Sequence, residues 1–172
     1  TCGGCVRCYG AAHGAGIKPI VGADFWLRSP EFEDEPCRIT ILAKDNDGYK
    51  NLTLLISKAY QRGHLFHRPV IDREWLVELK DGLIILSGAK DGDLGKALLK
   101  GNAGLIESVV SFYKQHFSDH YYLELIRTER PLEEDYLHLA VELAAQEQLP
   151  VVATNEAVVL KPENFEAHEI PV

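Results

Sequence analysis

The run Val151-Val152-Ala153-Thr154-Asn155-Glu156 carries the most chemistry in this chain. A β-branched apolar stretch delivers a hydroxyl, an amide and a carboxylate where a parallel strand would end, and α/β barrels place their reacting groups at such ends. Ala157, Val158 and Val159 follow, and no histidine stands within the ten residues after Glu156. The cluster therefore offers one carboxylate and no second metal ligand beside it. It reads as an α/β catalytic scaffold whose catalytic equipment has been replaced.

Cys2-x-x-Cys5-x-x-Cys8 is the second arrangement that could do chemistry. Thiolates so spaced can hold zinc or an iron–sulfur cluster, with Cys37 or His13 as fourth ligand. The same spacing marks one face of a helix, and unpaired cysteine is a common core residue. The periodicity favours the core face, with Cys2, Cys5, Val6, Cys8 and Tyr9 on one side of a short helix over residues 1–12. With no secretion signal in view, the four cysteines read as reduced cytosolic thiols.

The histidines are dispersed. His64 and His67 lie in a basic, aromatic loop, His116 and His120 flank a helix end where a cation suits the dipole, and His138 and His168 have no ligand nearby in sequence. The glycine-rich stretch Gly10–Gly16 precedes a strand, whereas a phosphate cradle needs the turn between a strand and the following helix. No nucleophile elbow, phosphate-binding P-loop or H-E-x-x-H zinc motif is present in the 172 residues.

The elements that would position these groups alternate. Strands are expected at Ile17–Phe25, Cys37–Ala43, Gly82–Gly88 (a central parallel strand), Tyr121–Arg127 and from Val151. Helices are expected at Tyr49–Gln61, after Asp72 as N-cap, at Asp93–Lys100 and Ala103–Phe117, and at Leu132–Gln148 with Tyr136, Leu139, Ala140, Leu143 and Ala144 inward. Residues 28–36 and 62–70 read as loops and Asp45–Gly48 as a turn. Such alternation with short connections argues for parallel βα units in a barrel or a doubly wound sheet. The length suits one domain with a sizeable core. A net charge of −8 disfavours a main grip on DNA. No apolar run approaches the roughly 18–20 residues of a membrane span. The chain opens at Thr1 and holds no methionine, which reads as a piece of something longer.

Four ordered blocks now combine: Gly14-Ala15-Gly16-Ile17-Lys18-Pro19-Ile20-Val21-Gly22-Ala23-Asp24, Leu42-Ala43-Lys44-Asp45-Asn46-Asp47-Gly48-Tyr49-Lys50-Asn51-Leu52, Gly82–Gly88, and Val151–Asn155. Together they resemble the PHP (polymerase and histidinol phosphatase) domain, in the form carried by bacterial replicative DNA polymerase III alpha subunits. The resemblance implies a distorted (β/α)7 barrel with its N-terminal strands missing, one partial domain over residues 1–172, at the head of a much larger cytoplasmic polymerase that uses Mg. Family members with an intact site hold three metals through His, Asp, Glu and Cys, and some remove 3′ nucleotides.

Position by position, the family's opening His-x-His and Thr-Asp-His strands would precede Thr1. Its first-block glutamate is Asp24 here, a later histidine is Arg38, its cysteine after Ser-Gly is Ala89, and its closing Asp-x-His is Glu156-Ala157-Val158. Asp24 and Glu156 alone keep an oxygen donor among these, and an Arg38 pair with Asp24 or Glu156 is expected in place of a cluster. The resemblance thus implies a degenerate metal site, no cofactor in this domain, and a scaffold that docks the proofreading exonuclease subunit against the remainder of the polymerase chain, with DNA held by the parent protein. The alternative is residual metal-dependent phosphoesterase activity, on a 3′ nucleotide or on pyrophosphate.

Overall fold

The computed structural model describes residues 6–13, 16–33, 35–61, 64–65, 68–126 and 133–154, with the backbone alone described at 6–13, 16–19, 64–65 and 68–69. Among the described residues eight strands and five α-helices follow one another: β1 (Val6–His13), β2 (Gly16–Arg28), β3 (Cys37–Ala43), α1 (Asn46–Gln61), β4 (His64–Leu65), β5 (Arg68–Asp72), α2 (Arg73–Glu78), β6 (Leu83–Leu86), α3 (Asp93–Lys100), α4 (Ala103–Phe117), β7 (Tyr121–Ile126), α5 (Glu133–Glu147) and β8 (Val151–Thr154). The strand path is β4-β5-β2-β3-β6-β7-β8, and β1 also pairs with β2.

This is an α/β fold, but its sheet is mixed. Pairs β6–β7, β7–β8 and β2–β5 are parallel, whereas β1–β2, β2–β3, β3–β6 and β4–β5 are antiparallel. The expected parallel βα pairing holds for β6–β7 and β7–β8, whereas β1, β2 and β3 follow each other with no α-helix between them, and short connections return a chain antiparallel. Gly82–Gly88 is central as expected, yet parallel on its β7 side only. The two ends of the path, β4 and β8, do not pair with each other among the described residues.

Residues 6–13 are a strand, not part of a helix. Cys8 is the one cysteine of the 2-5-8 spacing that lies in this strand, and the antiparallel register runs from Val6 opposite Ala23 to His13 opposite Gly16. The supposed loop at 62–70 contains β4 and the start of β5. The Asp45–Gly48 turn is the first turn of α1: the Gly48 N–H donates to Asp45 Oδ1 at 2.8 Å, an N-cap bond. Asn102 likewise caps α4, accepting from Gly104 and Leu105 N–H groups at 3.0 and 3.2 Å. Gly101, at φ +67°, closes α3 with its N–H on the carbonyls of Ala97 and Leu98.

β3 explains the layering. In Cys-Arg-Ile-Thr-Ile-Leu-Ala the residues alternate, so Cys37, Ile39 and Ile41 face one way and Arg38, Thr40 and Leu42 the other. The first face joins Phe25, Ile85, Tyr121 and Leu123 in the main core, under α1, α3, α4 and α5. The second face carries a smaller cluster of Leu42, Leu86 and Val152 beside several polar groups. Leu139 of α5 departs from expectation: it is 36% exposed, because α5 turns Tyr136, Ala140, Leu143 and Ala144 inward and leaves Leu139 on its flank.

One position ties the layering to a tight turn. Gly88 sits at φ +83°, and a Cβ there would lie 2.1 Å from the Arg38 carbonyl oxygen. Both the conformation and the space exclude a side chain. Gly88→Ala should lower the unfolding free energy by about 2 kcal/mol or more, read from urea denaturation. An effect below about 0.5 kcal/mol would show that the turn can relax.

Candidate functional site

The polar face of the sheet gathers its groups by register. Asp24 stands opposite Thr40 and Trp26 opposite Arg38 on the β2–β3 ladder, so all four share one face. Thr40 pairs with Leu86, Leu86 with Tyr122, Glu124 with Val152, and Ile126 with Thr154. The same face therefore continues through Glu124 to Thr154 at the end of β8.

Asp24 is 2% exposed. The Thr40 hydroxyl donates to its Oδ1 at 2.6 Å, and an Arg38 guanidinium nitrogen lies 3.9 Å from the same oxygen. The Arg38 side chain is itself largely buried. The expected Arg38–Asp24 pair is thus formed, as an ion pair too long for a direct hydrogen bond. Ala89 is buried in a short 3-10 turn just after Gly88, at φ +54°, with a methyl where the family pattern has a thiol. Glu156 lies outside the described residues, as do Asn155, Cys2, Cys5 and His168; nothing tests an Arg38–Glu156 pair.

A second carboxylate was not foreseen. Glu124, 2% exposed, accepts from the Gly88 N–H at 3.1 Å on one oxygen and from the Thr154 hydroxyl on the other. The Glu124 N–H donates to Ser87 Oγ at 2.9 Å, and the Tyr136 hydroxyl donates to the Glu124 carbonyl at 2.5 Å. Three strand ends, β6, β7 and β8, meet on this one residue. The sequence signal was a lone glutamate inside Tyr-Tyr-Leu-Glu-Leu-Ile, which alternation alone assigns as readily to a solvated face.

Behind the sheet lies a third buried carboxylate. Asp93, the first residue of α3, accepts from the Tyr113 hydroxyl at 2.7 Å and the Leu94 N–H at 2.8 Å. Tyr113 stacks on Tyr121 with centroids 4.1 Å apart. Burial raises Asp93 from its ordinary 3.8 to about 6, against the pull of those hydrogen bonds. Burial likewise pushes the Tyr113 and Tyr121 phenols well up, which keeps both neutral, Tyr113 as the donor to Asp93. Glu31 behaves oppositely: burial would raise it, but hydrogen bonds from Ser108 and Ser29 and the Arg73 guanidinium at 2.7 Å hold it below 4.5.

Residues 2–128 match the family model of the PHP domain. This chain belongs to the PHP domain family. It is 62% identical over 169 residues to DNA polymerase III subunit alpha of Vibrio cholerae, and 59% identical over the same length to that subunit of Escherichia coli K12. To the Haemophilus influenzae subunit it is 53% identical. Each alignment takes in 98% of this chain, which spans about 15% of the length of these relatives.

The other sequence candidates of this PHP chain scatter. Cys37 is buried on the helix side of the sheet, its thiol pushed up to about 12 chiefly by burial and next by the nearby Asp93. His120 Nε2 lies 3.0 Å from Lys44 Nζ, His116 packs its ring on Phe112, and His138 is exposed on α5. The side chains of His64 and His67 are outside the described residues. Among the described residues no three His, Cys, Asp or Glu groups converge as a metal site would require. No helix is long and apolar enough to cross a membrane among them either.

Asp93 gives the site a pH signature. Its raised value means that the unfolded chain loses this proton near pH 4 while the folded chain keeps it to about pH 6. The folded state therefore loses stability as pH rises through that window, on the order of 3 kcal/mol in all. In Asp93→Asn this slope should vanish, so the variant gains on the parent between pH 4 and 7. Urea denaturation at those two values measures it, and parallel profiles would refute the assignment.

Proposed function

We propose that this PHP domain is the part of a replicative DNA polymerase III alpha subunit that works as a scaffold and docks the proofreading exonuclease subunit, with its metal site degenerate. The observation that carries this reading is Arg38 beside Asp24. A guanidinium 3.9 Å from the carboxylate occupies the electrostatic place a metal would need. The neighbouring donors do not compensate. Ala89 has no donor atom, and both Glu124 oxygens already accept hydrogen bonds from Gly88 and Thr154. A trinuclear cluster needs several convergent ligands and an activated water, and the described residues do not fit one.

The similarity to polymerase alpha subunits over nearly the whole chain supports a place in DNA replication and in the cytoplasm. The polymerase reaction and its Mg ions belong, on this reading, to the remainder of the longer chain. DNA contact belongs there too, which suits a domain of net charge −8.

The test is metal loading with Mn²⁺ or Zn²⁺, followed by assays on a 3′-terminal nucleotide and on pyrophosphate. The expected result is less than one equivalent of retained metal and no turnover. Arg38→Met should then destabilise the chain by about 2 kcal/mol or more, since it removes the cation beside a buried carboxylate, and added Mn²⁺ should not restore it. Stoichiometric metal together with turnover that disappears in Asp24→Ala and Glu156→Ala would establish the phosphoesterase alternative instead.

A further inference from the structure

Helices α4 and α5 stand apart on the outer layer, both resting on α3. Between them runs an open cavity of about 610 Å³. Its floor is Leu98 of α3, and its walls include Ile106 and Val110 of α4 and Leu139 of α5. The α4 wall runs from Ala103 to Lys114 along one helical face. That is about 16 Å at 1.5 Å per residue, or three helical turns. Leu139 is a residue whose helical spacing suits a core, yet it forms an exposed lip of this groove.

The charges around it are one-sided. Glu107 on α4 and Glu142 on α5 both line the opening, and both are exposed. Lys114, the one cation of the lining, is held by Glu147 at 2.7 Å, which ties the far end of the two helices together. Glu107 and Glu142 have no ion pair among the described residues. A groove with an apolar floor, acidic rims and the length of three turns fits an amphipathic helix that presents apolar side chains at i, i+3/i+4 and carries Lys or Arg on its flanks.

We infer that the α4–α5 groove is the surface on which this domain seats a basic amphipathic helix of its partner, which on the reading proposed above is the proofreading exonuclease subunit. The groove lies inside the 169 residues shared with polymerase alpha subunits. It is also remote from α1, whose own exposed Leu54 offers a control.

Binding of the purified exonuclease subunit to the full polymerase chain carrying this domain decides it. Leu139→Lys, and the double variant Glu107→Lys with Glu142→Lys, should each weaken binding at least tenfold at low salt. The double variant should also flatten the salt dependence, and Leu54→Lys should bind as the parent does. Unchanged binding in both groove variants, with the parent binding, would overturn the surface and leave the docking function standing. No binding by the parent would overturn the docking function, and the surface with it. If Leu139→Lys instead lowers the stability of the polymerase chain alone, or abolishes a self-association, the groove is covered by the polymerase's own remainder or by a second copy, and the inference fails.

Discussion

A carboxylate taken out of water costs several kcal/mol unless its oxygens find donors, and Glu124 is buried on β7, between β6 and β8. Its donors come from the turn after β6 and from the end of β8, while its own N–H reaches Ser87. None of these bonds survives a shift in strand pairing. A slip of one residue on β7 would turn Glu124 toward the helices and bring Leu123 or Leu125 onto the polar face. The requirement to satisfy one side chain therefore fixes the mutual register of β6, β7 and β8, and the positions of Gly88 and Thr154 follow from it.

The same requirement reaches β2 and β3 by a different route. Gly88 packs against the Arg38 carbonyl so closely that no side chain fits between them. The turn that feeds Glu124 a backbone N–H is thus also the turn that settles the β3 backbone carrying Arg38. Arg38 in turn places positive charge beside Asp24, whose Oδ1 takes the Thr40 hydroxyl. Two buried acids on one face are held by different means: Glu124 by neutral donors, Asp24 partly by a cation. On the opposite side Asp93 accepts from the Tyr113 hydroxyl and the Leu94 N–H, and burial raises its pKa against the pull of both.

Much of this was legible in the sequence, for physical reasons specific to each element. α3 and α4 could be bounded to the residue because Gly101 and Asn102 punctuate them with a left-handed stop and a capping side chain. β3 could be bounded because its apolar run ends at Lys44 and Asp45. The Arg38–Asp24 pair was expected from a resemblance, since β2 and β3 share no local signal that would align positions 24 and 38. What could not be read was pairing direction and burial of lone charges. The Cys2-Cys5-Cys8 spacing suits a helix, yet residues 6–13, which contain Cys8, form a strand by pairing with β2. Glu124 and Leu139 show the two errors that periodicity makes: a charge in an apolar strand that turns out buried, and a leucine in an amphipathic helix that turns out exposed.

On the proposed reading, Arg38 supplies at this face of the sheet the positive charge that metal ions would otherwise supply. Carboxylates that converge on one face of a sheet repel one another unless positive charge stands between them. Three divalent ions can supply that charge only while enough donors surround them. One guanidinium supplies a fixed single charge through its own side chain and requires no loading from solution. Its planar nitrogens bond carboxylates in the plane of the group, and its stem is apolar enough to lie along a buried strand. A domain retained for its surface gains from such an exchange, because its stability no longer depends on metal supply. A hydrolase would lose by it, since a guanidinium holds no water acidic enough to serve as nucleophile. The burial of Arg38 next to Asp24 is in that respect consistent with the scaffold role proposed above.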